Sequence, residues 1–216
     1  MARGRPRKID PSDALHDVMI AFWQNGYAAT SMTDLSEASG MAKPGLYAAF
    51  GDKEALFEKA LMHYFHAYGG PIFEKLGPGG GHVVDDLRAF FGAVADLTLD
   101  ETTPTGCFLV NTVIDSRYGS ERHKEVVQGL VESRLEAIRT RLLKAVAAGD
   151  VPADAEIDRL AIFLDGQFSA IAILGRSGIS EPDMKAFIDT CLGVIPTCNA
   201  VLPEETRAQA KPILRQ

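Results

Sequence analysis

No stretch of this chain approaches the run of about 18 apolar residues that a membrane-crossing helix requires. Nor does any apolar segment follow the basic N-terminus, as an export signal would need, so a cytoplasmic protein that meets no membrane is expected. Cysteine is scarce, with Cys107, Cys191 and Cys198 the only three. An odd count in that setting fits free thiols in a reducing compartment rather than a disulfide scaffold. There is no Cys-x-x-Cys, no His-Glu-x-x-His and no carboxylate-rich loop, and His63, His66 and His82 alone make a weak metal site. There is no Gly-x-Ser-x-Gly elbow, and the glycines of 77–81 follow no strand and lack the lysine of a phosphate-cradling loop. Without converging acids, bases or ligands, neither catalysis nor a cofactor is expected. Strand-like alternation, internal repeats and coiled-coil heptads are missing too. What remains is helical periodicity, and an all-α protein.

Positive charge is also in short supply, with 22 Lys and Arg against 29 Asp and Glu and a net charge of -7. Such a total looks wrong for a nucleic-acid binder, but its distribution matters more than its sum. Residues 1–8 carry Arg3, Arg5, Arg7 and Lys8 with no acid among them. A basic arm on an acidic body permits DNA binding in one place and repels DNA elsewhere. Gly4-Arg5-Pro6-Arg7 cannot continue a helix, and short Arg-rich arms of this kind enter minor grooves. The apolar fraction of 46% is ordinary for a globular protein, and 216 residues can bury a substantial core.

Residues 30–53 organise the rest. Ser31 is suited to cap a helix, with Asp34 near the positive end of its dipole. Leu35 and Ala38 give that helix an apolar stripe, and Gly40 supplies the left-handed residue that ends it. A second short helix is predicted from about Lys43 to Ala49, with Pro44 tolerated in its first turn. Leu46 and Phe50 face inward, which turns Lys43, Gly45 and Tyr47 outward. Two short helices about a tight turn, with an outward polar face, make a helix-turn-helix.

This stretch resembles the DNA-binding motif of the tetracycline-repressor (TetR) family of transcriptional regulators. The resemblance covers roughly residues 10–65 and rests on ordered features: Asn25-Gly26-Tyr27, Thr30-Ser31-Met32, Leu35, Ser39-Gly40, Gly45-Leu46-Tyr47, Phe50, and Asp52-Lys53-Glu54 followed by Leu56-Phe57. It implies a three-helix DNA-binding domain ahead of a larger helical domain that binds a ligand and dimerises. The expected function is sequence-specific transcriptional regulation, most often repression of a palindromic double-stranded DNA operator relieved by a small-molecule effector. The residues expected at DNA are Arg5, Arg7, Thr30, Ser31, Lys43, Pro44, Gly45, Tyr47 and Lys53. In one place the sequence departs from the family. Many relatives carry an aromatic residue and a histidine after the recognition-helix tyrosine, where Ala48 and Ala49 stand here, so affinity leans more on the arm and Lys53.

The remaining chain reads as helices. Asp10-Pro11 starts one that carries Leu15, Val18, Met19 and Phe22. Asp52 starts another that ends at Gly69-Gly70-Pro71 and would act as the lever between the two parts. Further apolar segments run over Val84–Leu97, Cys107–Ile114 and Val127–Val146, the last with Glu132, Arg134, Glu136 and Arg141 mostly off its apolar stripe. Two more, from Ile157 to Leu174 and from Met184 to about Ile195, look like the paired dimer helices of the family. The first is apolar on more than one face, which requires burial on more than one side. The domains expected are an arm over 1–9, a DNA-binding domain over 10–55 with its motif at 31–50, a ligand-binding and dimerisation domain over 56–202, and a tail over 203–216. Phe65, Tyr68, Phe90, Phe91, Phe108, Tyr118, Phe163 and Phe168 are candidates to line a pocket, though aromatics at helical spacing are more often core. Cys107, between a turn and an apolar helix, is a candidate redox switch against the commoner role of packing residue. Two readings compete: a helical interaction protein that has lost DNA binding, and an enzyme of unknown type.

Overall fold

Helix α1 (Pro11–Asn25) starts where its capping signal lies. The Asp10 carboxylate accepts the Ser12 amide at 2.8 Å, and Pro11 occupies the first turn, where its missing N–H costs nothing. The computed structural model describes residues 9–77, 81–115 and 120–198. Arg5 and Arg7, the centre of the glycine-rich loop, Tyr118 and the tail over 203–216 lie outside the described residues.

The apolar face of α1, built from Ala14, Val18, Met19, Phe22 and Trp23, is buried against α2 (Met32–Ser39) and α4 (Lys53–Tyr64). Helix α3 (Lys43–Phe50) joins them through Leu46 and Phe50, both buried. The expected helix end at Gly69-Gly70-Pro71 does not occur. Instead α4 widens into a π-helical turn (Phe65–Gly69) and passes into the short α5 (Gly70–Phe73) and a 3-10 turn (Glu74–Leu76). Both glycines take right-handed values, and Pro71 falls in a first turn. The Phe65 ring covers Gly69, where a Cβ would lie 3.2 Å from Phe65 Cδ2, so a bare backbone lets the turn widen there.

The second part comprises α6 (Val83–Leu99), α7 (Phe108–Asp115), α8 (Glu121–Ala148), α9 (Ile157–Arg176) and α10 (Glu181–Leu192). Leu87, Phe90, Phe91 and Val94 of α6 fill the space against α9 and α10. Gly175 is required where α9 crosses α6, since a Cβ would sit 2.7 Å from Thr98 Cβ. Among the described residues there is no strand, and no helix is long and apolar enough to cross a membrane.

On α8 the sequence expectation needs correction. The helix begins at Glu121, capped by Ser120, and Arg134 and Arg141 lie inside, at 3% and 2% exposure. They share a face with Val127, Leu130, Ile138 and Ala145, at spacings of three and four. Arg134 makes a two-pronged pair with Asp165 of α9, at 2.5 and 3.1 Å, and stacks over the Phe168 ring at 4.4 Å. Arg141 donates to Asp86 of α6 and to the Gly81 carbonyl, each at 2.7 Å. Buried charge is tolerable only when paired and hydrogen-bonded. Arg141 meets that condition, and Arg134 meets it through Nε and Nη2, while among the described residues its Nη1 is buried without a hydrogen-bond partner.

Candidate nucleic-acid interface

The α2–α3 turn is fixed by local chemistry. The Ser31 hydroxyl accepts the amides of Thr33 and Asp34, while the Asp34 carboxylate takes the Ser31 amide at 2.7 Å, a reciprocal capping box. Those bonds from Ser31 hold the Asp34 carboxyl below the usual carboxylate range. Gly40 is left-handed at φ 66. Beneath it the Ser36 hydroxyl donates to the Met41 carbonyl at 2.7 Å, and Ser39 donates to Leu35 O and accepts from the Met41 amide. With Leu46 and Phe50 packed inward, Lys43, Pro44, Tyr47, Ala48 and Ala49 form the exposed face of α3, and Tyr47 is 49% exposed.

Not every expected contact residue lies on that face. Thr30 is buried at 1% exposure and its hydroxyl donates to the Gly26 carbonyl at 2.6 Å, so its side chain pins the α1–α2 loop. Gly45 is half-buried, with Met41 Cε 3.4 Å from where its Cβ would be. Ser31 is exposed but engaged in its cap. Lys43 Nζ donates to Thr33 Oγ1 at 2.7 Å, which draws the ammonium to the mouth of the two helices. Lys53 Nζ lies 4.3 Å above the Tyr27 ring, and partial burial lowers its pKa against the pull of Asp34. Thr33 and Tyr27 were missed as supporting residues. Both act through a partner distant in sequence, and neither stands out by residue type.

Helix α4 carries the start of this face into the second part. Its Glu54 accepts the Ser120 hydroxyl, and its Glu58 pairs with Arg122 at 2.7 Å. Phe57 stacks on His123 of α8 at 4.7 Å, and Tyr27 lies 5.3 Å from the same imidazole. Around these rings opens a cleft of about 240 Å³, lined among others by Asn25, Tyr27, Phe57, Phe108, Thr112 and His123.

Among the described aromatics expected to line a pocket, only Phe108 reaches this cleft. Phe90, Phe91 and Phe168 are buried core, and Phe65 joins them through Phe73, with ring spacings of 5.6 to 5.8 Å along Phe65–Phe73–Phe90–Phe168. Tyr68 stacks near Tyr64 and Trp23. Phe163 is 39% exposed on the outer side of α9. Cys107 is buried at 3% exposure and its Sγ accepts the Tyr64 hydroxyl at 3.1 Å, which takes away the accessibility that a redox switch needs. Burial and the neighbouring thiol push the Tyr64 phenol well above its ordinary range.

The same arrangement occurs in known proteins. Residues 19–60 match the family model "Bacterial regulatory proteins, tetR family", and residues 83–178 match "Tetracyclin repressor-like, C-terminal domain". The chain is 31% identical over 195 residues to the HTH-type transcriptional repressor ComR of Escherichia coli (strain K12), covering 90% of this chain and 93% of that protein. The chain belongs to the TetR family of transcriptional regulators. This regulator is also 24% identical over 201 residues to the uncharacterized HTH-type transcriptional regulator YezE of Bacillus subtilis (strain 168), covering 89% of this chain and 99% of that one. Among solved structures, a cysteine mutant of the TetR family regulator CifR, complexed with 26-bp double-strand operator DNA, superimposes with a TM-score of 0.81 at 26% identity. That match covers 89% of the regulator and 100% of the CifR chain.

Proposed function

We propose that the regulator is a homodimeric repressor that holds a palindromic operator and releases it when a small effector binds its helical domain. The observation that carries this reading is the continuity of α4, which begins beside the exposed face of α3 and receives the start of α8 through Glu54, Glu58 and Phe57. The reading head spans about residues 10–55 and the effector and dimer domain the helices after it. Lys43, Pro44 and Gly45 meet the major groove, Tyr47, Lys53 and Ser31 the backbone, and Arg5 and Arg7 of the arm the neighbouring minor groove. The regulator works in the cytoplasm, where its operator is. That ComR is named a repressor, and that CifR was captured on operator DNA, support the assignment.

Dimerisation uses the outer side of α9 and the turn that follows α10. Ile162, Phe163, Ile173 and Val194 are 64%, 39%, 51% and 48% exposed, and the open Gly166 lies between them on the same side. The dimer sets the separation of two recognition helices, which must be about 34–36 Å or a multiple to enter successive major grooves. An effector that favours a different separation weakens DNA binding by the factor by which DNA weakens the effector. Selection of duplexes from a random pool by the full-length protein tests the reading. Enrichment of a palindrome is expected, and recovery of no preferred sequence would overturn it.

A further inference from the structure

We propose that the cleft between α1, α4, α7 and α8 binds a compact, uncharged, single-ring compound bearing a hydroxyl group, a monocyclic phenol, with the His123 imidazole in its wall as the polar anchor. This rests on the repressor reading above and names the effector site and its chemistry.

The first observation is an unmet bond. His123 is 3% exposed, and among the described residues its Nδ1 is buried without any hydrogen-bond partner. A buried polar atom in that condition is costly unless something satisfies it. Three other polar side chains of the lining are already engaged. Asn25 donates to the Ala21 carbonyl, Asn111 donates to Thr105 O and accepts from Arg176, and the Thr112 hydroxyl donates to Phe108 O.

The second observation is the shape and character of the space. An apolar cavity of about 150 Å³ accepts benzene. At about 240 Å³ this cleft fits one ring with a small substituent. Its walls are aromatic, from Phe22, Tyr27, Phe57 and Phe108, which favour a flat partner by edge and face contacts. The electrostatics select against an anion, because Glu54 and Glu58 face His123 from α4. A hydroxyl is the group that satisfies either tautomer of an uncharged imidazole, since it both donates and accepts.

The position explains how occupancy would reach DNA. Tyr27 stands between His123, at 5.3 Å, and Lys53, at 4.3 Å, while Phe57 is part of α4 itself. A ring bound against Tyr27 and Phe57 rests on the loop that leads into α2 and on the helix that follows α3, and so favours whichever arrangement of the two fits it better. Its differential affinity for the two arrangements then sets the coupling.

The test uses the full-length protein and 4-methylphenol, with toluene as the same ring without its hydroxyl. Calorimetry on the DNA-free protein reads the cleft alone. One 4-methylphenol per protomer is expected, weakened roughly tenfold or more by His123→Phe, while toluene binding is insensitive to that change. Ala28→Phe at the mouth abolishes both by filling the space, and it serves if His123→Phe folds poorly. Absence of binding at millimolar 4-methylphenol, or binding that both variants leave unchanged, overturns the site. Operator affinity is measured separately, and a fall of roughly 5- to 150-fold on saturation is expected. Binding in the cleft without such a fall overturns the coupling. A protein that takes up 4-methylphenol but never binds a preferred duplex refutes the repressor reading and leaves the cleft standing.

Discussion

Replacing Ile162 by Asp should separate the proposed dimer and leave the protomer folded. The side chain is 64% exposed, so the substitution removes little from the protomer's own core. Fully burying such a chain is worth about 1.5–3 kcal/mol, and more than half of that remains to be gained on association, roughly 1 kcal/mol or more per copy. A two-fold interface contains every substitution twice. Loss of the transfer term alone, as in Ile162→Ala, therefore weakens the dimer by about 2 kcal/mol, or roughly 25-fold. Aspartate adds the cost of desolvating two carboxylates, several kcal/mol each if they stay buried, so the interface opens instead. Sedimentation across a concentration series would show a wild-type dimer at micromolar protein and an Ile162→Asp monomer with unchanged helical circular dichroism. The contrast is Phe168→Asp, at 5% exposure beneath Arg134, which should unfold the protomer rather than divide the dimer. An Ile162→Asp protein that still dimerises like wild type would refute this choice of face.

Other expectations concern stability. Arg134→Met strands the Asp165 carboxylate and should cost about 3–5 kcal/mol by denaturant unfolding, with most of that recovered when Asp165→Leu is added. Ser31→Ala removes the α2 cap and should cost about 1 kcal/mol, with faster amide exchange at Thr33 and Asp34. Burial holds His123 and His63 below their ordinary range, so the unfolded chain takes up protons first as the pH falls. The stability is present above the unfolded value of about 6.5 and lost as pH falls through the lower folded values. Melting temperature should therefore drop between about pH 7.5 and 5.5, less steeply in His123→Phe.

The reading head was legible in the sequence because its determinants are local. A cap at Ser31, a left-handed glycine at position 40 and inward Leu46 and Phe50 all lie within a few residues of the structure they dictate. What escaped depended on partners far along the chain. Arg134 and Arg141 read as solvent-facing because their carboxylates, Asp165 and Asp86, come from other helices. On α9 the pattern revealed two apolar faces but not which one the protomer keeps. The fold buries Phe168 and Ile171 and leaves Ile162 and Ile173 outside. The helix ran on past Gly69-Gly70-Pro71 because a π-helical turn can absorb glycines without ending. The cleft had no local signal, since its lining comes from α1, α4, α7, α8 and the loop after α1.

The central claim is that the exposed face of α3 and the start of α4 read DNA, and a binding titration across a salt series tests it most directly. Wild type, Lys43→Ala, Tyr47→Ala and Lys53→Ala are compared on the selected operator and a scrambled duplex. Lys53→Ala should weaken both duplexes and reduce the slope of log affinity against log salt by about one, as expected for one lost phosphate contact. Tyr47→Ala should weaken both as well, with little change of slope because its hydroxyl carries no charge. Lys43→Ala should cost roughly 1–3 kcal/mol on the operator and little on the scrambled duplex, as a base contact does. If all three variants match wild type on both duplexes at every salt concentration, this face does not read DNA and the account is wrong.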